Sequence, residues 1–194
     1  MKQQELKFIP FHSIKDADWH KAWALYESAF PANECWGEEQ YIAAFANDPA
    51  FVADGIWLGE EFVGLIFYWD TGRYCYVEHF AIDPRYRNQH LGSRVMQAMI
   101  RRYPHLVLEI EEPVDELTTR RSHFYMRQGL VLNPEYEYIH PSYRPPFEHF
   151  PLVLMSYPDH LSREEAAHIA DFTREHVLRI YSDHENPTLP YIPL

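Results

Sequence analysis

The hydrophobic pattern of the chain changes its period at Asp83-Pro84. Residues 73–82 are rich in aromatic and β-branched side chains, which favours a strand that ends at this dipeptide. From Leu91 to Arg102 the apolar residues recur at helical spacing, and a second apolar run at 106–110 is typical of a strand. Strands that a helix connects within one sheet lie parallel. The chain is therefore restricted to folds whose sheet contains parallel neighbours.

The other predicted elements surround this crossover. An antiparallel hairpin is expected over 51–58 and 61–69, because Gly59-Glu60 suits a tight turn. The remaining predicted elements are helices at about 17–30, 38–46 and 114–128, strands near 135–139 and 151–156, and a final helix that follows the capping box of Ser162 and Glu165. This order predicts an α+β fold, a mixed central sheet with flanking helices and an extra C-terminal helix.

Length and charge limit the organisation and the partners. With 194 residues, of which 46% are hydrophobic, we expect one main domain over 1–158 and a C-terminal helix and tail over 159–194. The apolar stripe of that helix needs either its own sheet or a second subunit, as in a homodimer. The net charge of −12 argues against nucleic acid as a partner and favours a cationic or neutral small molecule.

Cysteine, histidine and hydropathy patterns exclude other classes of protein. Cys35 and Cys75 form no C-x-x-C motif, which indicates neither a disulfide framework nor a thiolate metal site. The twelve histidines lack metal-ligand spacing, since Glu165 and His168 form only a lone E-x-x-H, so we predict no metal. No apolar run is long enough for a membrane span or a signal peptide, and we expect a cytoplasmic protein without membrane contact.

The loop between the strand that ends at residue 82 and the helix that begins at Leu91 suggests an anion site. A helix that begins at Leu91-Gly92-Ser93 presents unpaired N–H groups and the positive end of its dipole. Such a helix start can bind a pyrophosphate, and Gly92 would let the backbone come close to it. An ordinary strand-to-helix turn is the alternative.

Two motifs resemble the GNAT superfamily of N-acetyltransferases. Arg87-Asn88-Gln89-His90-Leu91-Gly92 is similar to the family's cofactor signature, with His90 at the position of the first glycine. The segment from Phe124 to Leu130 is similar to the family's F-Y-x-x-x-G-F motif, and Thr118 stands where an asparagine is often found. The resemblance extends over most of the chain, up to about Pro158. It implies a GNAT-like fold with acetyl-CoA as acyl donor.

The resemblance also implies the residues that bind acetyl-CoA. Residues 78–83 look like the family strand whose backbone pairs with the pantetheine arm. The implied cofactor-binding residues are Phe80, Ala81, Ile82, Arg87, Asn88, Gln89, His90, Leu91, Gly92, Ser93 and Thr118. Arg87 would either contact a phosphate or brace the loop, and backbone N–H groups around Ala81 and Ile82 would bind the oxyanion.

Two side chains are the predicted catalytic groups. Glu78 lies where family members often carry a base, and burial beside aromatic residues would have to raise its pKa for that role. A solvated Glu78 would instead attract an ammonium group or be a plain surface carboxylate. Tyr125 resembles the family's general acid, with a packed core tyrosine as the alternative. His79 is expected on the opposite face of the strand unless there is a bulge, as a structural or surface histidine.

The acceptor site is less sharply defined by the residues. Glu109, Glu111 and Glu112 would either line it or form a solvated strand end. An aromatic and proline cluster would wall it or cover an edge strand; its members are Tyr136, Tyr138, Tyr143, Pro145, Pro146 and Phe147. The predicted function is acetylation of a primary amine, of a small cationic molecule, by direct attack on acetyl-CoA. The alternatives are acetylation of a protein N-terminus or lysine, and an acyl-CoA-binding sensor or scaffold without turnover.

Overall fold

Seven strands form one mixed sheet in the structure of this protein, a computed structural model that describes residues 4–143 and 148–178. The strands are β1 (Leu6–Phe11), β2 (Phe51–Leu58), β3 (Glu61–Asp70), β4 (Cys75–Ile82), β5 (Leu106–Glu111), β6 (Val131–Pro141) and β7 (His149–Tyr157). Their order across the sheet is β1-β2-β3-β4-β5-β7-β6. The α+β class and the mixed sheet are as predicted.

Within the described residues, five α-helices cover the two faces of this sheet. They are α1 (Trp19–Ala29), α2 (Glu38–Asn47), α3 (Leu91–Arg102), α4 (Glu116–Met126) and α5 (Arg163–Phe172), the last continued by a π-helical turn at Thr173–Val177. Apolar side chains of α1, α2 and α5 share one core cluster with the sheet, and those of α3 and α4 pack in a second cluster on the other face. The sheet is thus buried on both sides between two helical layers.

The C-terminal helix packs on its own chain. Ser162 and Glu165 form the predicted capping box at its start. Its apolar face is buried in the same cluster as α1 and α2, and the ring of Phe172 lies 6.1 Å from that of Trp69 in β3. The predicted stripe positions Ile180 and Tyr181 and the tail 186–194 lie outside the described residues.

The crossover that follows β4 produces the expected parallel pair, but the pairing is short. Residues Cys75–Val77 of β4 lie opposite Leu106–Leu108 of β5. Both strands continue beyond this register, β4 to Ile82 and β5 to Glu111, without further pairing to one another. Because each strand keeps its antiparallel partner on the other side, the sheet divides into two halves. A cleft opens where they separate.

Candidate active site

The cleft between the two halves of the sheet holds a cavity of about 470 Å³. Its walls include the diverging parts of both strands, residues 78–82 of β4 and 108–111 of β5. The end of α1 and the loop after it cover one side, and the region where β6 ends and β7 begins covers another. Strands β4 and β5, which the sequence associated with cofactor and acceptor, thus border one cavity.

Glu78 lies at the point where the strands separate. The pairing of β4 with β3 shifts here, since Phe67 faces His79 and Tyr68 faces Val77, so Glu78 is the extra residue of a β-bulge. Its side chain is only 3% exposed. Trp69 Nε1 donates a hydrogen bond to one carboxylate oxygen (2.7 Å), and the Tyr143 hydroxyl donates to the other (2.8 Å).

The electrostatic state of Glu78 follows from this burial. Loss of solvent raises the pKa of its carboxyl group from 4.5 to about 7, although the bonds from Trp69 and Tyr143 act in the opposite direction. A carboxyl group with this pKa exchanges protons near neutral pH, as a general base requires. The condition that the sequence analysis attached to Glu78, burial among aromatic side chains, is met.

The expectation for His79 requires a correction. The bulge at Glu78 interrupts the alternation of the strand, so both side chains border the same cavity, and His79 Nδ1 lies 3.7 Å from Glu78 Oε1. His79 is 3% exposed and therefore not a surface residue. Its Nε2 lies 3.1 Å from the backbone oxygen of Glu34.

The β5 side of the cavity is acidic and rich in hydroxyl groups. Glu109 Oε1 accepts hydrogen bonds from Tyr76 (2.7 Å) and from Tyr138 (2.5 Å). Glu111 also lines the cavity, whereas Glu112 lies outside its lining and is exposed.

Only part of the predicted aromatic cluster borders the cavity. Tyr143 does so, while Tyr136 donates to the backbone oxygen of Leu161, away from it. Pro145, Pro146 and Phe147 lie outside the described residues. The cluster therefore contributes at least one residue to the cavity wall.

Tyr125 lines the cavity from the opposite helical layer, near the end of α4. Burial raises the pKa of its hydroxyl group to about 12, against an opposing effect of Arg121. The phenol is therefore protonated at neutral pH and able to donate a proton. The structure brings both predicted catalytic side chains, Glu78 and Tyr125, to one cavity.

The predicted anion-binding loop has an unusual backbone. Asn88 (φ 62°) and His90 (φ 59°) both adopt left-handed conformations, which explains why glycine suits the position of His90 and why histidine is a tolerable substitute. Arg87 Nε donates to the Ile82 carbonyl (3.3 Å) and so braces the loop. The first backbone hydrogen bond of α3 runs from the Arg94 N–H group to the His90 carbonyl oxygen. The N–H groups of 91–93 therefore lie ahead of the hydrogen bonds within the helix.

Gly92 has a packing role that the sequence did not reveal. A Cβ atom at this position would lie 3.3 Å from the ring of Phe124 and 3.8 Å from that of Phe80. The absent side chain therefore lets α3 pack closely on α4. Close approach of a phosphate to Gly92 stays a prediction.

The predicted cofactor residues fall into three groups. Phe80, Ala81, Ile82 and Arg87 line the cavity, and residues 88–93 form the loop and first turn of α3. Thr118 lies apart from the cavity lining, because its hydroxyl group forms a reciprocal capping box with Asp115 at the start of α4. Contact between Thr118 and the cofactor also stays a prediction.

Several residues of the site were not anticipated. Trp69 binds Glu78, and Glu34, Arg121 and His140 line the cavity. They come from β3, the turn after α1, α4 and β6, so no local motif joins them. Trp69 alone had a signal, because it stands near the end of a strand predicted to neighbour Glu78.

Among the described residues, no group of three or more His, Cys, Asp or Glu side chains could hold a metal ion. No helix within 4–143 and 148–178 is both long enough and apolar enough to span a membrane.

Comparisons with known proteins place this chain in a family. The model of the acetyltransferase (GNAT) family matches residues 19–130, and no curated protein matches the chain significantly. A GNAT-family structure from Bacteroides thetaiotaomicron is 29% identical, with a TM-score of 0.78 over 88% of this chain and 98% of that one.

Two more distant structures share the fold. The ribosomal-protein-S18-alanine N-acetyltransferase of Escherichia coli is 15% identical, with a TM-score of 0.57 over 82% of this chain and 97% of that one. A GNAT acetyltransferase from Elizabethkingia anophelis with acetyl-CoA bound is 12% identical, with a TM-score of 0.53 over 80% and 98%. Since the family model matches more than half of its residues, this chain belongs to the GNAT family of acetyl-CoA-dependent N-acetyltransferases.

Proposed function

We propose that this enzyme transfers the acetyl group of acetyl-CoA to a primary amine of a small molecule by direct attack. The observation that carries the proposal is the position of Glu78. Its buried carboxyl group, with a pKa of about 7, lies where β4 and β5 separate, in the same cavity as Tyr125. A base and an acid thus border one chamber, as acyl transfer to an amine requires.

The edge of β4 and the loop after it suit the acyl donor. Residues 80–82 have no strand partner on the β5 side, so their backbone is available to the pantetheine arm of acetyl-CoA. The N–H groups of 91–93 lie at the start of α3, which is 12 residues long, and such a helix start favours binding of the acetyl-CoA diphosphate. The thioester would then lie in the cavity between Glu78 and Tyr125.

The proposed chemistry assigns a proton path to each residue. The amine nitrogen forms a bond to the thioester carbonyl carbon, and Glu78 accepts one proton from that nitrogen. Main-chain amides near Ala81 and Ile82 stabilise the negative oxygen that develops. The carbon–sulfur bond then breaks, and Tyr125 gives its proton to the departing sulfur. The products are an amide and CoA, and solvent returns the proton from Glu78 to Tyr125.

The walls of the cavity favour a small cationic acceptor. Glu34, Glu109 and Glu111 border it, and the whole chain carries a net charge of −12. The Glu78 side chain is 3% exposed, so an acceptor has to enter the cavity to reach it. Acetylation of a protein N-terminus would need an open groove beside Glu78. The similarity to the Escherichia coli S18-alanine enzyme is a similarity of fold, and it gives no information about the acceptor of this enzyme.

One experiment separates this proposal from its rivals. Acetyl-CoA binding is measured by calorimetry, and CoA release is then measured with 1,4-diaminobutane, spermidine, glucosamine, lysine and an alanine-initiated peptide. Release with one of the small amines and not with the peptide supports the proposal. Release with the peptide alone indicates a protein acetyltransferase. Tight binding of acetyl-CoA without amine-dependent release would indicate a sensor.

Residues 1–158 and the C-terminal segment are proposed to act as one unit. The buried face of α5 shares a core cluster with α1 and α2, and Glu165 accepts a hydrogen bond from Tyr74 (2.6 Å) next to β4. The helix therefore supports the strand that carries Glu78.

A further inference from the structure

Two buried imidazole nitrogens border the acceptor end of the cavity without hydrogen-bond partners among the described residues. They are Nδ1 of His79 and Nε2 of His140, in residues that are 3% and 5% exposed. A buried polar atom without a partner is costly, and a polar ligand bound beside it is one means of removing that cost. These two atoms are therefore candidates for hydrogen bonds to a bound ligand.

The surroundings of His79 determine which atom carries its proton. Nε2 lies 3.1 Å from the Glu34 backbone oxygen, which can only accept, so Nε2 is the protonated nitrogen. Burial lowers the pKa of the ring to about 4, so the ring is neutral at pH 7. Nδ1 is then a lone-pair acceptor. His140 Nδ1 lies 2.6 Å from the Pro141 backbone oxygen, which can only accept, so Nδ1 carries a proton.

Glu78 offers a second acceptor beside His79. Its Oε1 accepts one hydrogen bond, from the Tyr143 hydroxyl, and a carboxylate oxygen can accept two. Oε1 lies 3.7 Å from His79 Nδ1, too far for a direct hydrogen bond between them. One nitrogen at about 2.9 Å from each atom fits between the two acceptors.

We propose that Glu78 Oε1 and His79 Nδ1 together bind the two N–H groups of the acceptor amine, so that the pair selects a primary amine. This inference rests on the proposed function and adds His79 to the acceptor site. The β-bulge is its structural basis, because regular alternation would place the two side chains on opposite faces.

The selection follows from the hydrogens that the amine carries. A neutral primary amine has two N–H groups and one lone pair. One N–H points to Glu78 and loses its proton as the nitrogen–carbon bond forms, and the other points to His79 and remains in the amide product. The lone pair is left for the thioester carbon. A secondary amine has one N–H, so it leaves one of the two acceptors without a partner.

Two variants separate this role from a structural one. His79→Gln keeps an N–H near the position of Nε2, for Glu34, but places no acceptor at the position of Nδ1. His79→Asn places an acceptor near Nδ1 and loses the bond to Glu34. Each variant is assayed with the best small primary amine of the panel, with its N-methyl derivative, and by calorimetry with acetyl-CoA.

The expected result is a larger effect of His79→Gln on the amine than of His79→Asn. His79→Gln raises the KM for the primary amine about tenfold, the effect of one hydrogen bond, with Kd for acetyl-CoA unchanged. It also reduces the preference for the primary over the N-methyl amine. His79→Asn keeps more of that preference and loses thermal stability.

Contrary results would also be decisive. If His79→Gln behaves as the wild type and His79→Asn alone is impaired, His79 has only a structural role and the inference fails while the proposed function stands. If the wild-type enzyme acetylates no small amine, both fail together.

Discussion

The substitution Glu78→Gln tests the site without knowledge of the acceptor. Glutamine has the shape of a protonated glutamate and fits the same neighbours. Its carbonyl oxygen accepts from Trp69 Nε1, and its amide N–H donates to the Tyr143 hydroxyl oxygen, which can rotate to accept. The variant therefore removes the buried charge and preserves the packing.

The size of the effect follows from the shift in proton affinity. Burial raises the pKa of Glu78 from 4.5 to about 7, so the folded protein holds this proton more tightly than the unfolded chain. The stability associated with the protonated form is complete below pH 4.5 and is lost as the pH rises to about 7. One pKa unit corresponds to about 1.4 kcal/mol, so the wild type loses about 3 kcal/mol that Glu78→Gln retains.

Urea unfolding at intervals from pH 5 to pH 8.5, followed by tryptophan fluorescence, measures this difference. The free energy of unfolding of the variant minus that of the wild type should rise with pH and level off above pH 7. Glu112→Gln is the matched control, because it removes the same charge from an exposed residue. A difference that stays constant to within about 0.5 kcal/mol over this range would refute the assignment of Glu78 as a destabilised, buried carboxylate.

Three further predictions address the donor side and the support of the site. Tyr125→Phe should lower kcat about a hundredfold with little change in the Kd for acetyl-CoA, and an unchanged kcat would remove Tyr125 from the reaction. Gly64→Ala would place a Cβ atom 2.6 Å from the Ala81 carbonyl oxygen, so it should cost about 1–3 kcal/mol in thermal unfolding and weaken acetyl-CoA binding; wild-type values for both would contradict this. The bond from Tyr74 is the main reason that the pKa of Glu165 is lowered to about 2, so Glu165→Gln should lose about 1 kcal/mol at pH 7. The difference in free energy of unfolding between the wild type and Glu165→Gln should decrease as the pH falls below 4.5. Urea titrations that show the same difference at every pH would contradict this prediction.

Local sequence signals predicted the elements that carry strong periodicity or clear caps. The hairpin at Gly59, helix α3, and the capping box of Ser162 and Glu165 are confirmed. Gly129 follows α4 with a φ of 95°, as expected of a residue just past a helix end. In each case the signal lies within a few residues of the structure that it predicts.

Features that depend on distant partners were missed. Strand β1 was not predicted, because it lies at the edge of the sheet, contains Pro10 and buries only Phe11. Strand β6 begins at Val131, earlier than the expected start near residue 135, because its pairing with β7 continues past a register shift between Asn133 and Tyr138.

The candidate site shows the same limit. The Arg87–Ser93 loop and Tyr125 were predicted from motifs, and Glu78 from its place on the strand. The neighbours that determine the pKa of Glu78 were not predicted. Trp69 lies on another strand, and the bulge that brings His79 beside Glu78 has no local signal in the sequence. Proton affinity is a property of the assembled surroundings and cannot be read from one segment.

Because the register between β4 and β5 is short, few backbone hydrogen bonds join the two halves of the sheet. Each half of the sheet is a block with its own antiparallel ladder, and backbone pairing joins the blocks only at Cys75–Val77 and Leu106–Leu108. A change in the width of the cleft therefore breaks no ladder within either block. The cost of such a change is set by the three paired residues on each strand and by the apolar side chains that pack across them in both core clusters.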